Sequence, residues 1–182
     1  MPFYKTEIND VMIFEPLVIP DERGYFYESY NENTFNESGI TSRFVQDNQS
    51  RSTYGVLRGL HYQLPPHAQA KLVRVLSGKI LDVAVDIRRN SPTFKKWVSV
   101  ELSAENARQI FIPRGFAHGF LVLSDTAEVF YKCDNAYNAA SNRGIAYNDS
   151  SLAIDWRIDH RKIILSSKDK ENPDFENAEN CF

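Results

Sequence analysis

The feature that most constrains the fold of this chain is a two-residue alternation between residues 79 and 88. The side chains that fall on one face are Leu81, Val83, Val85 and Ile87. The other face carries Ile80, Asp82, Ala84, Asp86 and Arg88. Because successive side chains of a strand point to opposite faces, this pattern predicts a β-strand.

Further strand signals fill most of the chain between residues 44 and 133. Gly78, which follows Leu76 and Ser77, predicts a turn into the strand that begins at Lys79. The segments that continue the series are 97–102, 108–112, 120–123 and 128–133. Their regular spacing with intervening turns is typical of an antiparallel sandwich or barrel.

Helical pattern is scarce. Residues 32–38, which end at Gly39, predict a short helix with a glycine stop, and residues 103–106 predict one helical turn. The polar run 148–151 predicts a capped turn that leads to Ile154 and Trp156. The charged tail from Ser166 is expected to pack across the surface and to fray at its end.

Composition narrows the function classes. A chain of 182 residues, 42% hydrophobic and 25% charged, predicts one soluble domain covering residues 1–182. A net charge of -3 without a Lys/Arg run argues against nucleic-acid binding, and no apolar run is long enough for a membrane span. The N-terminus lacks the pattern of a secretion signal. With two distant cysteines, this favours a reduced, cytoplasmic setting.

Three nitrogen-bearing side chains stand close together in sequence among apolar segments. They are Arg58, His61 and Lys71, with Tyr54–Leu57 before them and Leu72–Leu76 after them. Cationic or cation-capable groups set among buried-strand residues indicate a site for an anionic or oxyanion-forming small molecule.

A second motif runs from Pro113 through Gly115 to His118. Proline and glycine two residues apart predict a tight turn between strands. The Pro-x-Gly-x-x-His pattern resembles the second signature motif of the cupin superfamily, whose fold is a jelly-roll barrel.

The first metal-binding motif of that superfamily, His-x-His followed by Glu, has no counterpart here. The corresponding region offers His61, Tyr62, Gln63 and His67, and the cation Lys71 opposes metal binding, so no catalytic metal is predicted. His67, which follows two prolines, and His160, which precedes Arg161 and Lys162, are interpreted as solvated surface residues.

Many separated motifs in register carry a more specific resemblance. They are segments 21–26, 46–48, 55–63, 71–74, 86–88, 91–94 and 112–120, then Tyr131 and segment 144–145. In this order they closely resemble the dTDP-4-dehydrorhamnose 3,5-epimerase family over residues 5 to 173. The resemblance implies an all-β, cupin-type jelly-roll β-barrel of antiparallel strands with a few short peripheral helices.

The resemblance also implies a reaction. It is the cofactor-independent epimerisation of dTDP-4-dehydro-6-deoxy-D-glucose at C3 and C5, which yields dTDP-4-dehydro-L-rhamnose for dTDP-L-rhamnose biosynthesis. The hydrogens on both carbons are acidified by the neighbouring ketone. Inversion needs a base on one face of the sugar, a proton donor on the other, and stabilisation of the enolate between the two steps.

Site residues follow from the same resemblance. Because histidine is the side chain suited to accept a proton near neutral pH, His61 is the implied proton acceptor, with Asp169 as its carboxylate partner and Tyr131 as the proton donor. Lys71 and Arg58 are expected to hold the enolate oxygen or nearby hydroxyl and phosphate oxygens. Each residue also has a purely structural alternative. His61 could be a hydrogen-bonded core histidine, Asp169 a solvated charge of the tail and Tyr131 a packing residue of its strand. Lys71 and Arg58 could be ordinary surface charges.

A further group is implied for substrate binding. Arg23 resembles the diphosphate contact, and Tyr137 resembles the aromatic residue that stacks on thymine. The other implied contacts are Glu28, Gln46, Asn48, His118, Arg143 and Lys168, with a turn-stabilising role as the alternative for His118. The family also implies a homodimer whose subunits share active-site residues. Asn142 stands where many family members have glutamate, a departure that concerns nucleotide binding.

Two other functions stay open at this point. One is a single-centre epimerase, acting at C3 or C5 of another nucleotide-linked 4-keto deoxysugar. The other is a non-catalytic cupin module that binds a sugar. A binding module would not need His61, Tyr131 and Asp169 together.

Overall fold

The computed structural model describes residues 3–182 and is built mainly from antiparallel β-strands. The strands are β1 (Phe3–Lys5), β2 (Met12–Phe14), β3 (Ile19–Asp21), β4 (Gly24–Phe26), β5 (Gln46–Thr53), β6 (Leu57–Gln63), β7 (Lys71–Ser77), β8 (Lys79–Asp86), β9 (Trp97–Ser103), β10 (Gln109–Ile112), β11 (Phe116–Val122), β12 (Thr126–Cys133) and β13 (Asn142–Gly144). The helices are α1 (Glu32–Glu37) and α2 (Ser167–Lys170), with 3-10 turns at Ala139–Ser141 and His160–Lys162.

Two sheets face each other across the core. One has the strand order β1-β2-β10-β7-β12-β5 and the other β13-β6-β11-β8-β9, with antiparallel pairing throughout. The apolar cluster between them joins Val73 and Val129 of the first sheet to Ala84 and Phe120 of the second. The predicted all-β jelly roll with short peripheral helices is therefore confirmed.

The alternation in β8 has both of its faces buried. Leu81, Val83 and Val85 pack outward with Trp156 and Phe175 of the C-terminal segment. Ile80 and Ala84 belong to the cluster between the sheets, so the opposite face of the strand points into the barrel. The predicted turn before β8 is confirmed at Gly78, whose φ of +78° favours glycine.

The C-terminal tail packs across the surface as predicted, but its end does not fray. The backbone N–H of Arg89 donates to the Phe182 carbonyl at 3.1 Å. Asn180 Nδ2 donates to the Ile87 carbonyl at 2.5 Å. These bonds anchor the last residues beside the segment that follows β8.

The predicted helix at residues 32–38 is confirmed as α1, which places Phe35 against Phe14 and Leu72. The helical turn predicted at residues 103–106 is present as a single turn, since the Ala107 N–H donates to the Ser103 carbonyl at 3.1 Å. Ser103 ends β9, and its N–H donates to Asn106 Oδ1 at 3.1 Å while its Oγ accepts from the Asn106 N–H at 3.1 Å. These side-chain bonds close the turn, which does not continue into a helix.

The polar turn predicted at residues 148–151 is confirmed. Asp149 Oδ1 accepts from the backbone N–H groups of Ser151 at 2.8 Å and Leu152 at 3.0 Å. These bonds turn the chain toward Ile154 and Trp156, which are both buried.

Strands β3 and β4 form a hairpin that pairs only with itself, and all six of its residues are exposed. Leu17 and Phe26 are each 68% exposed and Tyr25 is 65% exposed. We call residues 17–28 the hairpin arm. Within residues 3–182 no helix is long and apolar enough to cross a membrane.

Candidate active site

A cavity of about 540 Å³ opens between the two sheets and the C-terminal segment. It brings together eight of the predicted site residues: Arg58, His61, Lys71, His118, Tyr131, Tyr137, Lys168 and Asp169. His61 and His118 come from the five-stranded sheet, whereas Lys71 and Tyr131 come from the six-stranded sheet. The candidate base and the candidate donor therefore lie on opposite walls of the cavity.

The ring of His61 is held by Asp169, as the resemblance implies. Ser166 caps α2 by accepting from the Asp169 N–H at 3.1 Å, which presents the Asp169 carboxylate to β6. His61 Nε2 lies 2.5 Å from Asp169 Oδ1. Burial would raise the pKa of Asp169, but hydrogen bonds and charge, chiefly from His61, lower it below its ordinary value. An ionised partner fixes the ring and favours the imidazolium once the ring accepts a proton.

A close approach of two glycines brings the two cavity histidines together. A Cβ on Gly59 would lie 2.4 Å from the Gly119 Cα, and Gly59 has a φ of +137°. Only glycine fits there, so β6 and β11 pack closely at this point. His61 and His118 consequently become cross-strand partners.

His118 is held by an aspartate that sequence reasoning missed. His118 Nε2 lies 2.9 Å from Asp82 Oδ2, and the two residues are 6% and 0% exposed. Burial lowers the pKa of His118, although the charge of Asp82 opposes this. The signal in the sequence was a carboxylate within the strand Lys79–Asp86, among residues that are otherwise apolar.

Lys71 and Tyr131 form the opposite wall. Lys71 Nζ lies 5.9 Å from the centre of the Tyr131 ring. Burial lowers the pKa of Lys71 and raises that of Tyr131. In the part of the chain that the structure describes, Lys71 forms no ion pair with a carboxylate. The wall thus offers a protonated phenol and an unneutralised cation to an oxyanion.

Strand β5 contributes polar groups that sequence reasoning also missed. Ser52 Oγ accepts from Arg58 Nε at 3.1 Å, which orients the guanidinium at the cavity. Ser50 lines the cavity, and its buried Oγ has no hydrogen-bond partner within residues 3–182. The signal in the sequence was spacing, because Ser50 and Ser52 continue the two-residue period of Gln46 and Asn48.

Tyr137 lies at the cavity and is 55% exposed. Gln46 and Asn48 do not line the cavity of this chain, but Gln46 contacts the backbone of Tyr137, which does. Gln46 Oε1 accepts from the Tyr137 N–H at 2.8 Å, and Gln46 Nε2 donates to Asn48 Oδ1 at 3.0 Å. Asn142, the departure from the family pattern, also lines the cavity.

Three predicted substrate contacts lie outside the cavity in a single chain. The side chain of Arg23 is 82% exposed and pairs with Asp21. Glu28 accepts from Asn31 Nδ2 at 3.1 Å. Arg143 Nε donates to Glu179 at 2.7 Å. Their roles in substrate binding stay predictions.

The remaining histidines differ from each other. His160 is exposed, as predicted. His67 is half-buried rather than solvated, because its Nδ1 lies 2.9 Å from Ser141 Oγ. Within the described residues, no cluster of three or more His, Cys, Asp or Glu side chains is arranged to hold a metal.

Comparison with known proteins gives consistent matches. The family model described as dTDP-4-dehydrorhamnose 3,5-epimerase matches residues 5–177. A Shigella flexneri protein named dTDP-4-dehydrorhamnose 3,5-epimerase is 57% identical over 180 residues, 98% of each chain. The Elizabethkingia anophelis enzyme of that name has a crystal structure with a TM-score of 0.94 and 57% identity, covering 97% of both chains.

A ligand complex is among the similar structures. It is the dTDP-6-deoxy-D-glucose-3,5-epimerase of Legionella pneumophila in complex with dTDP-4-keto-L-rhamnose. This chain is 51% identical to it with a TM-score of 0.93, over 97% of this chain and 93% of the other.

Proposed function

The chain belongs to the dTDP-4-dehydrorhamnose 3,5-epimerase family, and on that premise we propose that it converts dTDP-4-dehydro-6-deoxy-D-glucose to dTDP-4-dehydro-L-rhamnose. The observation that carries this proposal is the placement of His61 and Tyr131 on opposite walls of one cavity. A sugar ring between these walls would meet a base on one face and an acid on the other. Inversion of a carbon next to a ketone needs this arrangement.

In the proposed reaction, His61 removes the hydrogen from a carbon beside the C4 ketone. Asp169, 2.5 Å from the His61 ring, stabilises the imidazolium that forms. The electron pair of the broken C–H bond moves into the ring, and the ketone oxygen becomes an enolate oxygen. Tyr131 then protonates the same carbon from the opposite face. The His61 imidazolium then releases its proton to solvent and the Tyr131 phenolate takes one up, so that the same cycle at the second carbon can complete the double inversion.

Two cationic side chains are proposed to bind the negatively charged oxygens of the substrate. Lys71 is buried and lacks a carboxylate partner in the described chain, so its charge is available to the enolate oxygen. Arg58, oriented by Ser52, suits a phosphate or hydroxyl oxygen. Each inversion removes one proton and supplies another, and no electrons leave the substrate, so the proposed reaction consumes no redox cofactor. Free Cys133 and Cys181 suit the reducing cytoplasm, where we place it.

Hydrogen exchange tests this proposal directly. Wild-type protein is incubated with dTDP-4-dehydro-6-deoxy-D-glucose in deuterated water, and the product is examined by NMR. We expect deuterium at both C3 and C5 together with the L-lyxo configuration. Deuterium at one carbon would replace the proposal with a single-centre epimerase. Absence of exchange would leave a sugar-binding module.

We further propose that the protein is a homodimer in which the hairpin arm of one subunit completes the cavity of the other. Exposed apolar surface of this kind marks an interaction site, and Leu17, Tyr25 and Phe26 supply it. The arm also carries Arg23, whose guanidinium pairs only with Asp21 among residues 3–182. An arm that crosses to a second copy would deliver this guanidinium to the diphosphate.

Complementation tests the shared site. Arg23→Ala and His61→Ala chains are coexpressed with different tags, and the mixed dimer is purified through both tags. One cavity then has both intact residues and the other lacks both, so we expect about half of the wild-type activity in this dimer. Each variant alone should be far less active. Mixed dimers without recovered activity would place Arg23 in its own subunit's site, and wild-type activity of Arg23→Ala alone would place it outside catalysis.

A further inference from the structure

Asp82 is a buried carboxylate that the proposed mechanism does not use. It lies in the middle of β8, is 0% exposed, and does not line the cavity. Its Oδ2 meets His118, but its buried Oδ1 has no hydrogen-bond partner within residues 3–182. Burying a carboxylate oxygen without a partner costs several kcal/mol by general estimates, so a half-satisfied aspartate inside a barrel needs a reason.

Lys71 is a second group without a matching charge. Its ammonium is buried and meets the Tyr131 ring rather than a carboxylate. The charge of Asp82 is one of the influences that oppose the lowering of its pKa. Asp82 lies 2.9 Å from the ring of His118, which lines the same cavity as Lys71, so its charge can act on Lys71 through space without a direct ion pair.

We infer that Asp82 is a positioning residue of the reaction: its carboxylate fixes the ring of His118 and supplies the negative charge that keeps Lys71 an ammonium. This inference rests on the proposed epimerase function and adds to it a residue that acts through two others. Asp82 itself touches neither the substrate nor the reacting atoms.

The first part of the inference concerns the tautomer of His118. A carboxylate can only accept, so Nε2 of His118 must carry the hydrogen that it donates to Asp82. The second nitrogen, Nδ1, is then left for the ligand. Burial lowers the pKa of His118 and keeps the ring neutral, so Nδ1 accepts from a sugar hydroxyl. The enolate oxygen therefore falls to Lys71 and not to His118.

The second part concerns charge around Lys71. The titratable or charged groups around it are Cys133 and Tyr131 from β12, Asp82 from β8, His118 from β11, Arg58 and His61 from β6, and Asp169 from α2. Burial raises the pKa of Cys133 to about 11 and raises that of Tyr131, so both are uncharged near neutral pH. Asp169 is paired with His61. Asp82 is the remaining anion that can balance Lys71.

The test replaces Asp82 with asparagine and follows kcat and KM across about pH 6 to 10. Lys71 acts as a cation, so activity is lost as pH rises through its pKa. Without Asp82 that pKa falls further, and we expect the alkaline limb of kcat to move down by about one pH unit or more. KM should stay within about threefold, because the asparagine Oδ1 can still accept from His118 Nε2 and hold the ring in place.

Asp86→Asn is the matched control. Asp86 lies on the same strand, is equally buried and undergoes the same change, but it is remote from the cavity lining. Its alkaline limb should match that of the wild type. A loss of activity in Asp82→Asn that is equal at every pH would reduce Asp82 to a structural role and overturn the inference.

A measurement on the wild type covers the case in which Asp82→Asn does not fold. Nitrogen-15 NMR of the four histidines distinguishes the two neutral tautomers. We expect His118 as the Nε2–H tautomer at neutral pH, and the Nδ1–H tautomer would overturn the inference. Wild-type protein without hydrogen exchange would instead defeat the epimerase proposal, so the two failures are distinguishable.

Discussion

Two aspartates on β8 show how differently this barrel treats its interior charges. Asp82 and Asp86 are four residues apart in the strand, and both are 0% exposed. Asp86 accepts from Arg88 Nη2 at 2.7 Å and from the hydroxyls of Ser91 and Thr93, each at 2.6 Å. In the described part of the chain, Asp82 accepts from His118 alone and keeps one buried oxygen unpaired.

The difference separates a structural charge from a functional one. Around Asp86, Arg88 also reaches Asp10 at 2.8 Å and stacks on Phe116 at 4.6 Å. Both oxygens of Asp86 are engaged in that network. Near Asp82, His118 and Lys71 line the cavity, and among residues 3–182 the Nδ1 of His118 and the ammonium of Lys71 remain free to bond a ligand. Incomplete satisfaction at the cavity end of β8 is what a binding site requires, because groups that are already paired cannot bind substrate.

The largest effect expected at the cavity end is that of His61→Ala. Removing a general base typically lowers the rate by about 10²- to 10⁴-fold, so hydrogen exchange at C3 and C5 should be lost to that extent. Nucleotide affinity should stay largely intact, because the ring does not take part in the proposed diphosphate or thymine contacts. Exchange by NMR and dTDP binding by calorimetry measure the two quantities.

His61→Asn controls for the partner that His61→Ala leaves behind. Asp169 is buried, and an asparagine amide can still donate to it although it cannot act as a base. Both variants should lose exchange alike, whereas His61→Asn should unfold at a higher temperature than His61→Ala. Turnover within a few-fold of wild type in either variant would remove His61 as the base.

The contrast along β8 also marks what the sequence could predict. The alternation that begins at Lys79 is a local property, so the strand and the turn at Gly78 followed from it. Asp82 and Asp86 look alike in such a pattern. Their partners, His118 for one and Thr93 for the other, are set by the way the strands and loops pack. No reading of a single strand could tell which aspartate was structural.

The candidate site shows the same limit. Motif resemblance selected His61, Lys71 and Tyr131, which the structure brings to one cavity. It could not say that Arg23 lies on an exposed arm of its own chain, because that depends on where the β3–β4 hairpin points. The helical turn expected at residues 103–106 is present, because it depends only on neighbouring residues: the Ala107 N–H donates to the Ser103 carbonyl, and Ser103 and Asn106 bond each other's backbone.

A smaller effect, in stability rather than rate, is expected at the other end of the strand. Asp86→Asn leaves the Arg88 guanidinium short of a buried partner and should lower the free energy of unfolding by about 2 to 3 kcal/mol. Activity of the folded variant should stay within about twofold of wild type, since Asp86 is remote from the cavity lining. Urea unfolding and exchange kinetics measure the two quantities. If Asp86→Asn lost much of its activity while keeping wild-type stability, Asp86 would have a functional role like that inferred for Asp82.

Part of that stability should depend on acid. Burial alone would raise the pKa of Asp86, but its hydrogen bonds lower it from 3.8 to about 2. A carboxyl group with a lowered folded pKa contributes stability above its unfolded pKa and loses it as pH falls through the folded value. The difference in free energy of unfolding between wild type and Asp86→Asn should therefore shrink by roughly 2 kcal/mol as the pH falls from about 4 to about 2. Asp125→Asn, at an exposed position, should show no such change. If the difference in free energy of unfolding between wild type and Asp86→Asn stays constant over this pH range, the hydrogen bonds around Asp86 do not depend on its charge.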